Sequence, residues 1–283
     1  MRPPHPAFEA LRPWIDVGID GLEPAYLNTC AGARARRPCT DAGATVHFIA
    51  AVAGTSAADY ETRILRTGAV PTRSGNQHDA FNALCWLAYP AFKRECNAQH
   101  VRQLACAPAT PEAPRGALRD ALTLLDESGV IVLCIEPDLA RLLIERRWKT
   151  LFWDRRTDVS RNLRCFVCGH ALFEKLLRPY PAITARALIV AAPAALFELA
   201  MEAQRQFADE AAARLLRAGI TPAQVSPLPV AGIPGWDPGN VTARFYDNSA
   251  VFRPQRLATA AGNPLTSAHS DCAPAPVNSS DDP

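Results

Sequence analysis

The 283-residue chain has few lysines, no long uninterrupted apolar run and none of the common nucleotide or hydrolase signatures. Lysine occurs only at Lys93, Lys149 and Lys175, every other basic side chain being arginine; with so much alanine and proline, this reads as compositional bias. Thirty basic residues against 28 acidic ones give a net charge of +2. That balance predicts neither a nucleic-acid-binding stripe nor an acidic tail. Nucleic acid is therefore not an expected partner, the Arg-rich 141–164 segment being the weakest of the options. The N-terminal MRPPHPAFEALRPWIDVG has no apolar core of signal-peptide length. The longest candidate span, ALIVAAPAALFELAM from Ala187, is broken by Pro193 and Glu198. It falls short of the ~18–20 apolar residues that cross a bilayer. A soluble cytoplasmic protein without membrane contact is expected, its nine cysteines reduced. P-loop, GxGxxG, HExxH and GxSxG motifs are all missing, which argues against ATP-, dinucleotide- and serine-dependent chemistry.

What is present is one unusual helix. Residues 76–100 read NQHDAFNALCWLAYPAFKRECNAQH. At helical periodicity His78, Tyr89, Asn82, His100, Lys93, Trp86 and Asn97 share one arc of roughly 100°. Phe81, Ala83, Leu84, Leu87, Ala88, Ala91 and Phe92 occupy the other side. A solvated helix face normally carries Lys, Glu, Gln and Arg; this one carries side chains that bond specifically and want partners. Asn76 stands where an N-cap belongs, with Asp79 three residues on. Pro90 is expected to kink or divide the helix.

The pattern along the chain predicts an α/β (or α+β) fold: a mixed sheet with a hairpin and parallel strands covered by helices, preceded by an α-rich N-terminal part. The expected division is 1–104 mainly helical, 105–117 a Pro/Ala-rich linker, 118–255 an α/β part packed on the first as one globular unit, and 256–283 a disordered tail. RDALTLLDESGVIVLCIE reads as two apolar runs joined in a hairpin at Asp126–Gly129. GVIVLCI, apolar throughout, reads as a strand buried on both faces. LRCFVC and ARALIVAA are further strands, each followed by a helix, the second from about 194 to 217. TPAQVSPLPVAGIPGWDPG, residues 221–239, reads as a long loop that acts as a lid or wraps the sheet.

Five stretches, YETRILRTGAVPTRSGNQHDAFNALCWLAYPAFK, RDALTLLDESG, GHALFEK, PLPVAGIPGW and FYDNSAVFRP, together resemble the bacterial domain of unknown function 3025 family, common in proteobacteria. The resemblance spans roughly residues 25–255. It implies membership and no chemistry, and it carries no catalytic residue over to this chain.

The residues themselves nominate a site. His78 and His170 are candidate general bases or metal ligands, with Glu174 one helical turn after His170 as the orienting carboxylate. Asn82, Trp86, Lys93, Asn97, Arg119 and Tyr246 are the candidate substrate-binding residues. A divalent metal is a candidate cofactor, and a small polar ligand the candidate partner. Asp126 and Glu127 read as ordinary turn residues. Cys165 and Cys168 have CxxC spacing but fall in a strand, where residues three apart face opposite ways. Two readings follow. One is a hydrolase-type enzyme acting on a polar or phosphorylated substrate, which requires the two histidines within ~12 Å of each other in a cleft. The other is a non-catalytic binding protein whose polar stripe is a buried hydrogen-bond network.

Overall fold

The computed structural model describes residues 5–15, 18–51, 54, 56–105, 117–221 and 224–255. The expected linker, its two end residues apart, and the expected tail from 256 onward lie outside the described residues. The N-terminal part opens with a 3-10 segment, Pro6–Trp14, and helix α1, Pro24–Gly32. Two short strands, β1 (His47–Ala50) and β2 (Ala69–Thr72), pair in parallel. The helix between them, α2 (Ala57–Thr67), is capped by Ser56, whose Oγ accepts from the Asp59 amide.

The stripe helix forms as its sequence predicts. Asn76 Oδ1 accepts the Asp79 N–H at 2.9 Å, satisfying one of the amides that every helix start leaves open. Pro90 divides the segment into α3 (Gln77–Ala88) and α4 (Pro90–Ala105). Every residue of α3 from Ala80 to Ala88 is buried, so α3 is packed on all sides. The first free amides of α4 are capped from a distance: Asp209 accepts from Ala91 N at 3.0 Å and Phe92 N at 2.7 Å.

The second half differs from expectation at one informative place. Residues 117–128 are not the first strand of a hairpin but a helix, α5 (Ala117–Ser128). Ala121, Leu122 and Leu125 are fully buried, and their i, i+1, i+4 spacing lies on one helical face. α5 runs directly into β3 (Gly129–Cys134), all six residues of which are buried. There follow α6 (Pro137–Ile144), α7 (Arg156–Asn162), β4 (Leu163–Val167), α8 (His170–Leu176), β5 (Thr184–Ala191), α9 (Met201–Ala218) and β6 (Val225–Pro229). The region 194–217 is a 3-10 turn, Ala194–Glu198, and then α9. The 221–239 region, expected to be loop only, supplies the strand β6; Pro227 and Pro229 are tolerated there because β6 is at the sheet edge.

The sheet order is β4-β3-β5-β6. β3 pairs parallel with β5 and antiparallel with β4, and β5 pairs antiparallel with β6. The mixed sheet covered by helices is therefore the α/β architecture the sequence implies, its antiparallel pairs arising from β4 and β6.

One close approach fixes the site. Cys168 N and Gly169 N both donate to Gly129 O at 3.0 Å. A Cβ on Gly169 would stand 2.3 Å from Gly129 N, 2.6 Å from Ser128 N and 2.7 Å from Glu127 C. The start of α8 is thus pressed against the end of α5, a contact only glycine permits. Gly169→Ala is expected to cost about 1–3 kcal/mol by overpacking, lowering the thermal midpoint by about 2–4 °C per kcal/mol. An unchanged melting curve would show that the approach tolerates a methyl group.

Candidate functional site

Three helix ends meet at that junction. α3 contributes His78 in its first turn, α8 begins with His170, and the last turn of α5 carries Asp126 and Glu127. His78 Nε2 and His170 Nε2 are 3.1 Å apart, with the rings at 79°. Glu127 Oε2 lies 3.6 Å from His170 Nε2. One ligand atom each from His78, Glu127 and His170 can be chosen so that all lie within 4.8 Å of one another. On the outer side, Glu174 Oε2 is 3.2 Å from His78 Nδ1. His170 Nδ1, buried and without a hydrogen-bond partner, has Asp126 Oδ2 3.8 Å away.

These contacts favour one pair of tautomers. A carboxylate only accepts, so Glu174 favours a proton on Nδ1 of His78, which turns the Nε2 lone pair inward. The Asp126 carboxylate likewise favours a proton on Nδ1 of His170, leaving that Nε2 lone pair inward too. With the proton on Nδ1 of each ring, both Nε2 lone pairs would turn toward an ion beside the Glu127 carboxylate. Tetrahedral zinc, with Zn–N near 2.0–2.1 Å, holds its ligand atoms roughly 3.3 Å apart, so the spacing suits a cation between them.

The surroundings are charged and mostly buried. Lys93 Nζ donates to Asp126 Oδ1 at 2.5 Å and lies 5.8 Å from the Trp86 ring centre. Burial pushes the Asp126 carboxyl up, but Lys93 and His170 outweigh it and hold it well below the usual carboxylate range. Burial lowers His170 to about 4, against the pull of Asp126. Glu127 is raised by burial and by the Asp126 charge. Asn97 Nδ2 donates to Glu61 Oε2 at 2.6 Å and to Glu61 O at 2.9 Å. With both amide hydrogens directed at Glu61, Asn97 Oδ1 is buried and without a partner. Glu61 is raised to about 7 by burial, which outweighs the Asn97 hydrogen bond. Asn82 Nδ2 donates to Tyr60 Oη at 2.9 Å.

His78, Asn82, Trp86, Lys93, Asn97 and His170 line one cleft of about 580 Å³. Arg119 lies in an adjoining groove of about 700 Å³ that shares Glu61, His100, Asp126 and Glu127 with it. Tyr246 does not line the cleft; its hydroxyl donates toward Gly232 O at 3.1 Å, within the segment that wraps β6. Glu174 turns to His78, not to the His170 of its own helix. The carboxylate beside His170 Nε2 is Glu127, which the hairpin reading had taken for a turn residue. Its helical context was present in the sequence as the spacing of Ala121, Leu122 and Leu125. Cys165 and Cys168 are free thiols, pushed up by burial, Cys165 to about 12.

Residues 46–256 match the family model described as Protein of unknown function (DUF3025). The chain belongs to this family. His78, Lys93, Asp126, Glu127, His170 and Glu174 all fall within the DUF3025 match. No curated protein and no solved structure matches the chain. Among the described residues of this DUF3025 chain, no helix is long and apolar enough to cross a membrane.

The Lys93–Asp126 pair is deeply enclosed, with 5% and 17% side-chain exposure. Lys93→Met would strand a buried carboxylate and is expected to cost about 3–5 kcal/mol. Lys93→Met combined with Asp126→Asn should cost clearly less, because no unpaired charge remains; chemical denaturation of the single and double variants checks the order.

Proposed function

We propose that this DUF3025 protein is a divalent-metal-dependent hydrolase-type enzyme, with His78, Glu127 and His170 as the metal ligands. The observation that carries this reading is the convergence of two carboxylate-oriented imidazoles, Nε2 to Nε2 at 3.1 Å, beside the Glu127 carboxylate. Three protein ligands leave a fourth position open, the arrangement of catalytic rather than structural zinc sites. A cation held there would supply Lewis acidity and a water acidified to near neutral pH. Glu174 and Asp126 orient the two imidazoles from outside. Glu61, with its carboxyl near 7, can hold or release a proton at neutral pH. Asn97 Oδ1 offers an acceptor to a substrate N–H or O–H, and Trp86 lies beneath Lys93 in the cleft.

Of the two substrate classes, a polar uncharged or cationic one is favoured over a phosphorylated one. Glu61, Asp79, Asp126 and Glu127 outnumber Lys93 and Arg73 in the cleft. Both cations are already paired, Lys93 with Asp126 and Arg73 with Asp79. A cytoplasmic setting is supported by the free thiols of Cys30, Cys39, Cys85, Cys96, Cys134, Cys165 and Cys168.

A second reading, a non-catalytic binding protein, is favoured by the bonds that Asn82, Lys93 and Asn97 make to Tyr60, Asp126 and Glu61. These give much of the stripe a structural role. The two readings separate on one experiment. Zinc, cobalt(II) and manganese(II) are titrated into wild type and His170→Ala, and the loaded proteins are offered p-nitrophenyl esters, anilides and phosphate esters. The enzyme reading expects one ion per chain, ester or anilide hydrolysis that a chelator stops, and loss of both in His170→Ala. A bound ion without turnover of any substrate would favour the binding protein. Failure of wild type to bind any of the ions would overturn the metal assignment.

A further inference from the structure

The basic segment ARARRPC, residues 33–39, takes no part in the cleft. It closes one side of a separate recess of about 250 Å³ between the end of α1, the start of α4 and α9. Five arginines line this recess: Arg34, Arg36 and Arg37 from the segment, Arg94 from α4 and Arg205 from α9. We propose that this recess binds a phosphate group of a small phosphorylated molecule through Arg34, Arg36, Arg37 and Arg94.

Three observations carry the assignment. First, only Arg205 among the five has an ion pair among the described residues, to Glu202. Of the two carboxylates in the lining, Asp209 accepts both the Ala91 and Phe92 amides, and the exposed Glu210 faces Arg214 at 4.0 Å. Four guanidinium groups therefore share one recess without an ion pair among the described residues, the Asp209 and Glu202 charges reaching Arg34 only at longer range.

Second, Arg34 Nε and Arg94 Nε are buried and have no hydrogen-bond acceptor. A buried donor without a partner is costly, and both of these arginines belong to the lining of the recess. Third, Arg34 and Arg205 both sit against the Trp14 ring, at 5.5 and 5.7 Å from its centre. The ring holds like charges close together; burial and then the Arg205 charge disfavour the charged form of Arg34, and Glu202 and Asp209 offset them only in part. A bound anion would add to the partial relief that Glu202 and Asp209 give.

The chemistry selects the ligand. Guanidinium forks match the oxygens of phosphate in paired hydrogen bonds. The recess is smaller than the ~300–1,000 Å³ typical of drug-sized ligands, which suits a phosphate or diphosphate moiety and not a nucleic-acid duplex. Residues 34–37 precede the 46–256 family match, so the site combines a segment outside that match with Arg94 and Arg205 inside it. It does not rest on the hydrolase reading.

The test is isothermal titration with inorganic phosphate, pyrophosphate and ADP, with citrate as a non-phosphate polyanion. Wild type is compared with Arg36→Gln/Arg37→Gln, Arg94→Gln and His170→Ala. Arg36 and Arg37 are exposed, so their replacement leaves the packing intact, and a melting curve verifies this. Pyrophosphate is expected to bind one per chain, about tenfold or more weaker in each arginine variant, the loss of at least one good contact. Binding should be unchanged in His170→Ala and should weaken with added salt. ADP tighter than pyrophosphate would identify a nucleotide as the source of the phosphate; equal affinity would identify free diphosphate. No binding, binding as strong in the arginine variants, citrate binding as tightly, or loss in His170→Ala would overturn the proposal.

Discussion

The site depends on a backbone contact more than on any side chain. Gly129 and Gly169 bring the end of α5 and the start of α8 closer than any other pair of residues could. Glu127 comes from the first of these helices and His170 from the second. Without the contact, a carboxylate and an imidazole separated by 43 positions would sit on opposite walls of a wider cleft. The hydrogen bonds from Cys168 and Gly169 to one carbonyl make the junction rigid, since each amide is satisfied only at this separation. The all-buried strand β3 then seats the junction on the sheet.

The next layer is electrostatic. Asp126 serves two neighbours, holding Lys93 through one oxygen and facing His170 with the other. One carboxylate thus keeps the ammonium of α4 charged inside the protein and favours a proton on the near nitrogen of the imidazole. Glu174 does the second of these tasks for His78 from the solvent side, where its 46% side-chain exposure makes the interaction weaker. The polar stripe of α3 and α4 is consequently part hydrogen-bond network and part cleft wall. Its inner members brace the helices, and the face they leave open bounds the cleft.

Much of this was legible in the sequence, for reasons that are local. Asn76 as a cap, Pro90 as a divider and GVIVLC as a doubly buried strand each rest on one residue's geometry or on plain hydrophobicity. The juxtaposition of His78 and His170 was legible only as a pair of candidates, because nothing in a sequence shows which helix ends meet. Glu127 was hidden by its neighbours. DESG has turn composition, and a run such as LTLL suits a strand as well as a helix, so the helical spacing of Ala121, Leu122 and Leu125 was outweighed. Likewise Glu174 seemed to belong to His170, four residues away, whereas its side chain leaves its own helix to meet α3. The ARARRPC segment was visible as a basic loop, but its recess needed Arg94 and Arg205 from two other helices.

Helix α8 is only seven residues long, yet it holds His170 at one end and, a turn later, the carboxylate that orients His78. Mechanically this makes α8 a single lever with two points of action. A small rotation of it would displace one ring directly and release the other from its guide in the same movement. The inward-facing pair of imidazoles is therefore assembled or dismantled as one unit, and its integrity is set by how firmly α8 is clamped at its glycine.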